Sequence, residues 1–193
     1  KAKYTHSYPH CWRCHTPLIY FPAPAWFLQT TAYAERMRAE NAKIRWAPPE
    51  IGSGRMGEWL ENNVDWALSR DRYWGTPLPV WVCDRDEEHF QCVGSFEELR
   101  QRASGLPEDF DPHRPGVDAI QFPCVHEEIC SGTMRRVSQV IDCWFDSGAM
   151  PFAQASWPGG AEVDAATGLP RDFPADFISE GLDQTRGWFY TLH

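Results

Sequence analysis

What this sequence has least of is uninterrupted apolar chain. No run reaches 18 apolar residues, and the opening KAKYTHSYPH has no hydrophobic signal core. Neither a membrane-spanning helix nor a secretory signal peptide is expected. Positive charge is also short, with 18 basic against 27 acidic residues and a net charge of −9. This argues against a chain whose whole surface tracks a phosphate backbone, while leaving room for a local basic face. Cysteine is too sparse for a disulfide-stapled scaffold: seven residues, an odd number, in a chain of 193. A reducing, cytoplasmic setting with metal-binding or buried thiols fits better. No HExxH occurs and nothing has a Ser–His–Asp ordering. The chain begins without methionine and stops within a helical phase that lacks any C-terminal signal, so a piece of a larger protein is expected.

Aromatics, by contrast, are plentiful: ten tryptophans, eleven phenylalanines and six tyrosines within a hydrophobic content of 42%. That is enough for a core, and an excess of flat side chains points to pockets or interfaces as well. Cys11-x-x-Cys14 forms a knuckle-like turn ahead of a short apolar strand, Leu18–Tyr20. Two such thiols can grip one metal ion, but tetrahedral zinc needs two further ligands from elsewhere. Residues 25–39 read as a helix, with Trp26, Phe27, Thr30, Tyr33, Ala34 and Met37 on one face. Residues 56–69 read as the clearest helix, through Trp59, Leu60, Val64 and Leu68. The GSGRMG run at 52–57 is not a phosphate cradle, since no strand leads into it and no lysine follows.

Arg70-Asp71-Arg72-Tyr73-Trp74-Gly75 is either a surface turn or a shaped contact with an anionic partner. Leu78–Cys83 looks like a strand, and Pro79 assigns it to a sheet edge. An acidic hairpin, DRDEEHFQC, follows it. GSFEELRQRA is then a short helix in which Ser95 and Glu98 make a capping box. Cys83, Cys92, Cys124 and Cys130 are able to form one four-thiolate site joining two hairpins, with His89 and His126 in reserve. Their spacings are looser than usual for zinc, so a metal-free remnant of such a module is the preferred reading.

Two stretches carry the functional signal. In VIDCWFDSGAM an apolar strand ends near Cys143, and Trp144, Phe145, Asp146, Ser147 and Gly148 follow at its carboxyl end. In ADFISEGLDQTRGWFYTL a short strand, Phe177–Ser179, leads through Glu180-Gly181-Leu182-Asp183-Gln184 into a helix from Thr185, which is placed to cap it. Carboxylates and an amide between a strand and a helix are how an open α/β sheet builds a ligand edge, and the two stretches are expected to be neighbours on one. An ordinary surface loop is the alternative. Glu180 and Asp183 are read as holding hydroxyls or an amine in preference to acting as an acid–base pair.

YPHCWRCHTPLIY, the WF at 26–27, NNVDWALSRDRYWGTPLPVW, VIDCWFDSGAMPFA and FPADFISEGLDQTRGWFYTL, in that order over nearly the whole chain, resemble the isoleucyl-tRNA synthetases, a family of class I aminoacyl-tRNA synthetases. The resemblance implies an α/β fold: part of a Rossmann-like catalytic core carrying a small cysteine-containing insertion, either zinc-ribbon-like or degraded. Residues 1–82 would be the return from an editing insert, 83–135 the inserted module, and 136–193 the sheet edge with the adenylate-binding motif. It implies that Glu180, Gly181, Asp183 and Gln184 lie at the aminoacyl-adenylate, and that Trp144 and Trp188 wall the isoleucine side-chain pocket. Such a wall rewards a larger aliphatic side chain but cannot sternly refuse one lacking a methylene, hence the family's separate editing domain.

ATP with Mg2+, isoleucine, tRNA(Ile) and the remainder of the synthetase would be the partners. Neither a HIGH-type nor a KMSKS-type signature occurs, so the isolated piece is expected to be inactive. Cys11 and Cys14 would pair with a second CxxC upstream, and the departures at Cys92, Cys124 and Cys130 put zinc in the second module in doubt. A tRNA-contacting or connecting module without an active site is the alternative, with Arg70 and Arg72 as its best contacts.

Overall fold

In the computed structural model, which describes residues 3–107, 109–160 and 162–193, the first regular element comes later than the Leu18–Tyr20 stretch. That stretch is exposed and forms no strand, because no strand of the described chain is aligned to pair with it. The CxxC turn before it is closed by two backbone bonds, Cys11 N–H to Thr16 O at 2.9 Å and His15 N–H to Cys11 O at 2.8 Å. Strand β1 (Phe27–Leu28) then pairs antiparallel with β2 (Trp66–Ala67), so the expected helix over 25–39 is displaced. Its start is held extended by side chains. Thr31 donates to Asp65 through both its amide and its hydroxyl, at 3.0 and 2.7 Å, and the Thr30 hydroxyl donates to Val64 O at 2.9 Å. Only after a 3₁₀ turn at Thr30–Tyr33 does α1 (Ala34–Asn41) begin.

The helix expected over 56–69 is also cut short. A π turn at Gly52–Met56 feeds α2 (Gly57–Glu61), and Asn62 ends it by donating to Glu58 O at 2.8 Å. Beyond the two asparagines the chain is extended, as β2 and then β3 (Ser69–Arg70). Helical spacing here lost to long-range pairing, which local periodicity does not register.

Strand β4 (Val80–Cys83) is the centre of a four-stranded antiparallel sheet with β5 (Phe90–Cys92), β6 (Gln121–Pro123) and β7 (Thr133–Arg136), in the order β5-β4-β7-β6. The edge position inferred from Pro79 is therefore overturned. Pro79 lies just before the strand, where only its carbonyl is used, accepting from Val93 N–H at 2.9 Å. Helix α3 (Phe96–Arg102) closes one face. The Ser95 hydroxyl accepts from Glu98 N–H at 3.1 Å, and the Glu98 carboxylate reaches back to Gly94 N–H at 2.9 Å. Half of the expected capping box is thus as read, with the return bond one residue further upstream. Trp81, Val93, Leu99, Val117, Ile120, Phe122 and Met134 are buried together, and the Trp81 indole donates to Ile120 O at 2.9 Å. The buried Arg136 guanidinium is neutralised by Asp118 and also donates to Gln139 O at 2.9 Å.

After β7 the chain leaves the four-stranded sheet. Its next strand is β8 (Val140–Ile141), which pairs antiparallel with β3. Helix α4 (Cys143–Ala153) follows at once, then a long irregular stretch, a 3₁₀ turn at Leu182–Arg186 and α5 (Trp188–Leu192). Phe177–Ser179 is exposed and is not a strand. The fold is mixed α/β with small sheets, and all strand pairings among the described residues are antiparallel. Among the described residues no helix is long and apolar enough to cross a membrane.

Candidate functional site

The WFDSG stretch, expected at the carboxyl end of a strand, does follow β8 directly and forms the first turns of a helix. The reason is Asp142, whose Oδ1 accepts from Trp144 N–H at 3.2 Å and caps α4. Aspartate is among the strongest residues at this position, because its oxygen satisfies a donor that the helix cannot. Helix α4 packs against α5, and two glycines make the approach close. A β-carbon at Gly148 would overlap the Thr191 carbonyl, and one at Gly187 would sit 3.2 Å from the Trp144 ring. The Trp188 indole donates to Ser147 O at 3.1 Å. Trp144 and Trp188 are thereby brought to one corner, with the WFDSG and EGLDQ stretches adjacent across a helix pair and not along a sheet edge.

The EGLDQ segment is held from within. Gln184 accepts from Trp188 N–H at 3.0 Å through its side-chain oxygen, and its amide donates to Asp183 at 3.3 Å. Gln184 thus takes the capping part expected of Thr185. Thr185 itself is fully buried, donating to Leu182 O at 2.8 Å and accepting from Arg55 Nε at 2.9 Å. A β-carbon at Gly181 would lie 2.6 Å from Asp183 Oδ1, so the backbone passes close to that carboxylate. Glu180 is exposed, and among the described residues its carboxylate makes no hydrogen bond. Arg186 lies over the Trp59 ring, 4.4 Å from its centre, and donates to Arg55 O at 2.6 Å. The sequence assigns Arg55 no role and Thr185 only that of a cap, and the three-dimensional contact shows both holding the turn.

The two arginines of SRDRYW separate in space. Arg70 is spent internally, on Ala67 O at 2.6 Å, Ser69 O at 2.9 Å and the carboxylate of Asp142. Arg72 stays exposed beside Tyr73 and the Cys11–Arg13 turn, all lining one open cavity of about 630 Å³.

A second cluster lies at one end of the four-stranded sheet, where the β4–β5 and β6–β7 connections meet. Ligand atoms of Cys83, His89, Cys124 and Cys130 all lie within 4.8 Å of one another. Cys83 Sγ is 3.6 Å from Cys130 Sγ, and Cys124 Sγ is 3.5 Å from His89 Nδ1. These separations match the edge of a zinc tetrahedron, about 3.7 Å for ligands 2.3 Å from the ion. Cys92 is not in the group. It is exposed on β5 opposite Val80, and His89, held only in reserve by the spacing argument, stands in its place. The far nitrogen of His89 faces Asp86 at 3.5 Å, the arrangement that orients a metal-binding imidazole. Gly132 leaves the room, since a β-carbon there would overlap Cys83 Sγ. Without an ion, burial pushes the Cys124 thiol up to about 11, and the Arg85 amide lowers that of Cys83. Cys11 and Cys14 acquire no third ligand among the described residues. The Thr16 hydroxyl, 3.0 Å away, lowers the Cys14 thiol to about 7.

Residues 12–193 match the family profile of tRNA synthetases class I (I, L, M and V). The chain belongs to that family. Curated synthetases similar to it include the isoleucine–tRNA ligase of Thermus thermophilus, 55% identical over 194 residues that cover 100% of this chain and 18% of the relative. The isoleucine–tRNA ligase of Clostridium novyi is 50% identical over 98% of this chain and 17% of its own length. That of Streptomyces avermitilis is 52% identical over the same shares. The chain therefore spans less than a fifth of the synthetases it matches.

Proposed function

We propose that this chain is the part of a cytoplasmic isoleucine–tRNA ligase that holds the amino acid and its adenylate, within a Rossmann-like core completed by the rest of the protein. The observation that carries the reading is the meeting of Trp144 and Trp188 beside the Asp183–Gln184 turn. Two indoles offer contact to an aliphatic side chain. The carboxylates of Glu180 and Asp183 offer acceptors to an ammonium or to ribose hydroxyls, and Gly181 keeps side-chain bulk away from the adenylate. The amino-acid carboxylate would attack the α-phosphate of ATP, arriving with Mg2+, to form the aminoacyl-adenylate and release pyrophosphate, and a hydroxyl at the tRNA(Ile) 3′ end would then take the aminoacyl group and release AMP. Residues 1–82 and 136–193 would belong to the core and its link to an editing insert, with 83–135 the inserted module.

In that module, Cys83, Cys124 and Cys130 as thiolates and His89 through Nδ1 fit zinc by donor type and spacing. Bound there, zinc would supply structural cross-linking, not chemistry. Arg72, with the cavity beside it, is the remaining candidate for a tRNA contact. The whole reading is tested by isoleucine-dependent ATP–pyrophosphate exchange in the full-length protein carrying this segment. Exchange that needs Asp183 and responds best to isoleucine supports it. A protein that binds tRNA yet exchanges pyrophosphate with no amino acid would leave the non-catalytic module as the better account.

A further inference from the structure

We infer that the Arg70–Asp142 pair is a positioning device for the Trp144 wall of the amino-acid pocket, and that Arg70 is not an RNA contact. The inference rests on the functional reading above, and it moves Arg70 from the tRNA-binding step to the amino-acid step.

Asp142 is the junction of three elements. Its backbone amide donates to Leu68 O at 2.8 Å, and β3 pairs with β8 immediately before it, Ser69 opposite Ile141 and Arg70 opposite Val140. One carboxylate oxygen caps α4 at the Trp144 amide. The other receives the Arg70 guanidinium and the Trp66 indole, the latter at 3.3 Å. The carboxylate side chain is only 8% exposed. A buried carboxylate with one charged partner and two neutral donors is fixed in orientation, and so is the helix start it caps. Trp144 is the second residue of that helix, and its ring has little freedom on the other side, where the Gly187 backbone lies against it. Arg70 also ties the same carboxylate to Ala67 O and Ser69 O, so both terminal nitrogens of its fork are engaged within the chain although the side chain is 38% exposed.

Exchanging the carboxylate for an amide breaks this arrangement without changing its shape. In Asp142→Asn one terminal atom becomes an NH2 group, and it must face either the Arg70 donors or the Trp144 amide. Either way a donor meets a donor, and Trp144 loses its fixed origin.

The test uses the full-length ligase with Asp142→Asn, Arg70→Lys, Trp144→Ala and the Asp142→Asn/Trp144→Ala double variant. ATP–pyrophosphate exchange without tRNA reads the amino-acid step, and aminoacylation reads the KM for tRNA. We expect Asp142→Asn and Arg70→Lys to raise the KM for isoleucine about tenfold, the scale of one charge-assisted hydrogen bond, with the KM for tRNA unchanged. In the Trp144→Ala background Asp142→Asn should add nothing, because the residue it positions is gone. A raised KM for tRNA with unaltered exchange in Arg70→Lys overturns the inference, as do independent, multiplying effects in the double variant. Should Asp142→Asn fail to fold, Arg70→Lys, which keeps the charge, decides the matter alone. Wild-type protein without isoleucine-dependent exchange would refute the functional reading itself, whereas normal exchange with unaffected variants refutes only the pair.

Discussion

Replacing His89 by alanine should weaken zinc binding at the proposed site about a hundredfold, while Cys92→Ser should leave it untouched. The structure gives the candidate ligand set. Four ligand atoms within 4.8 Å include His89 and omit Cys92. Zinc held by four side chains in small modules is bound by about 10–16 kcal/mol, so loss of one ligand removes roughly a quarter, on the order of 3 kcal/mol or a hundredfold in affinity. Asp86→Asn, which removes the acceptor behind the imidazole at 3.5 Å, should weaken binding about tenfold. The assay is competition for zinc against a chromophoric chelator, with metal content of the purified protein as the stoichiometric check. Burial of the Cys124 thiol, which raises it to about 11, adds a pH signature. The protonated thiol must give up its proton to bind, so affinity rises with pH through the neutral range and falls as pH drops. The reasoning is refuted if Cys92→Ser loses zinc and His89→Ala keeps it, for the site would then be the four-thiolate set that spacing alone suggested.

Three further outcomes are expected. Ser95→Ala removes the cap of α3 at 3.1 Å and should cost about 1 kcal/mol, seen as roughly fivefold faster amide exchange across Phe96–Arg102. Met134→Ala, at a position with no exposure in the sheet core, should destabilise the module by about 2–5 kcal/mol, read as loss of exchange protection in β4 and β7. Cys14, lowered to about 7 by Thr16, should be alkylated at a rate that climbs with pH and levels off above neutrality. Thr16→Val should move that profile upward, toward the ordinary thiol value, because the thiolate loses its donor.

The sequence showed which stretches come together better than it showed their shape. The Ser95–Glu98 cap, the Phe90–Cys92 return of the hairpin and the proximity of WFDSG to EGLDQ were all legible, because each rests on local chemistry or on a long specific motif. Residues 62–69 were expected to continue the helix that ends at Glu61. Their apolar spacing is helical, but strand pairing with residues 27–28 and 140–141 decided the outcome, and such partners lie dozens of residues away. Pro79 suggested an edge strand because proline lacks a donor, yet it stands one residue outside the ladder, where no donor is needed. His89 ranks behind Cys92 on spacing because only the fold shows that the imidazole, and not that thiol, reaches the other three ligands. Asp142 was passed over as the end of a strand. Its position directly before CWFDSGAM was the available sign that a helix begins there.

The central claim is that the corner formed by Trp144, Trp188 and the Glu180–Gln184 turn holds an aminoacyl-adenylate. Its most direct test is calorimetric binding of a non-hydrolysable isoleucyl-adenylate analogue to the full-length protein, unaltered and as Glu180→Gln, Asp183→Asn and Trp144→Ala. The account predicts a weakening of about tenfold or more for each carboxylate change, since a charge-assisted acceptor is lost. It also predicts a selective loss of the isoleucyl over the alanyl analogue in Trp144→Ala. Unchanged affinity in all three variants, with the analogue still bound, would place the adenylate elsewhere and contradict the account.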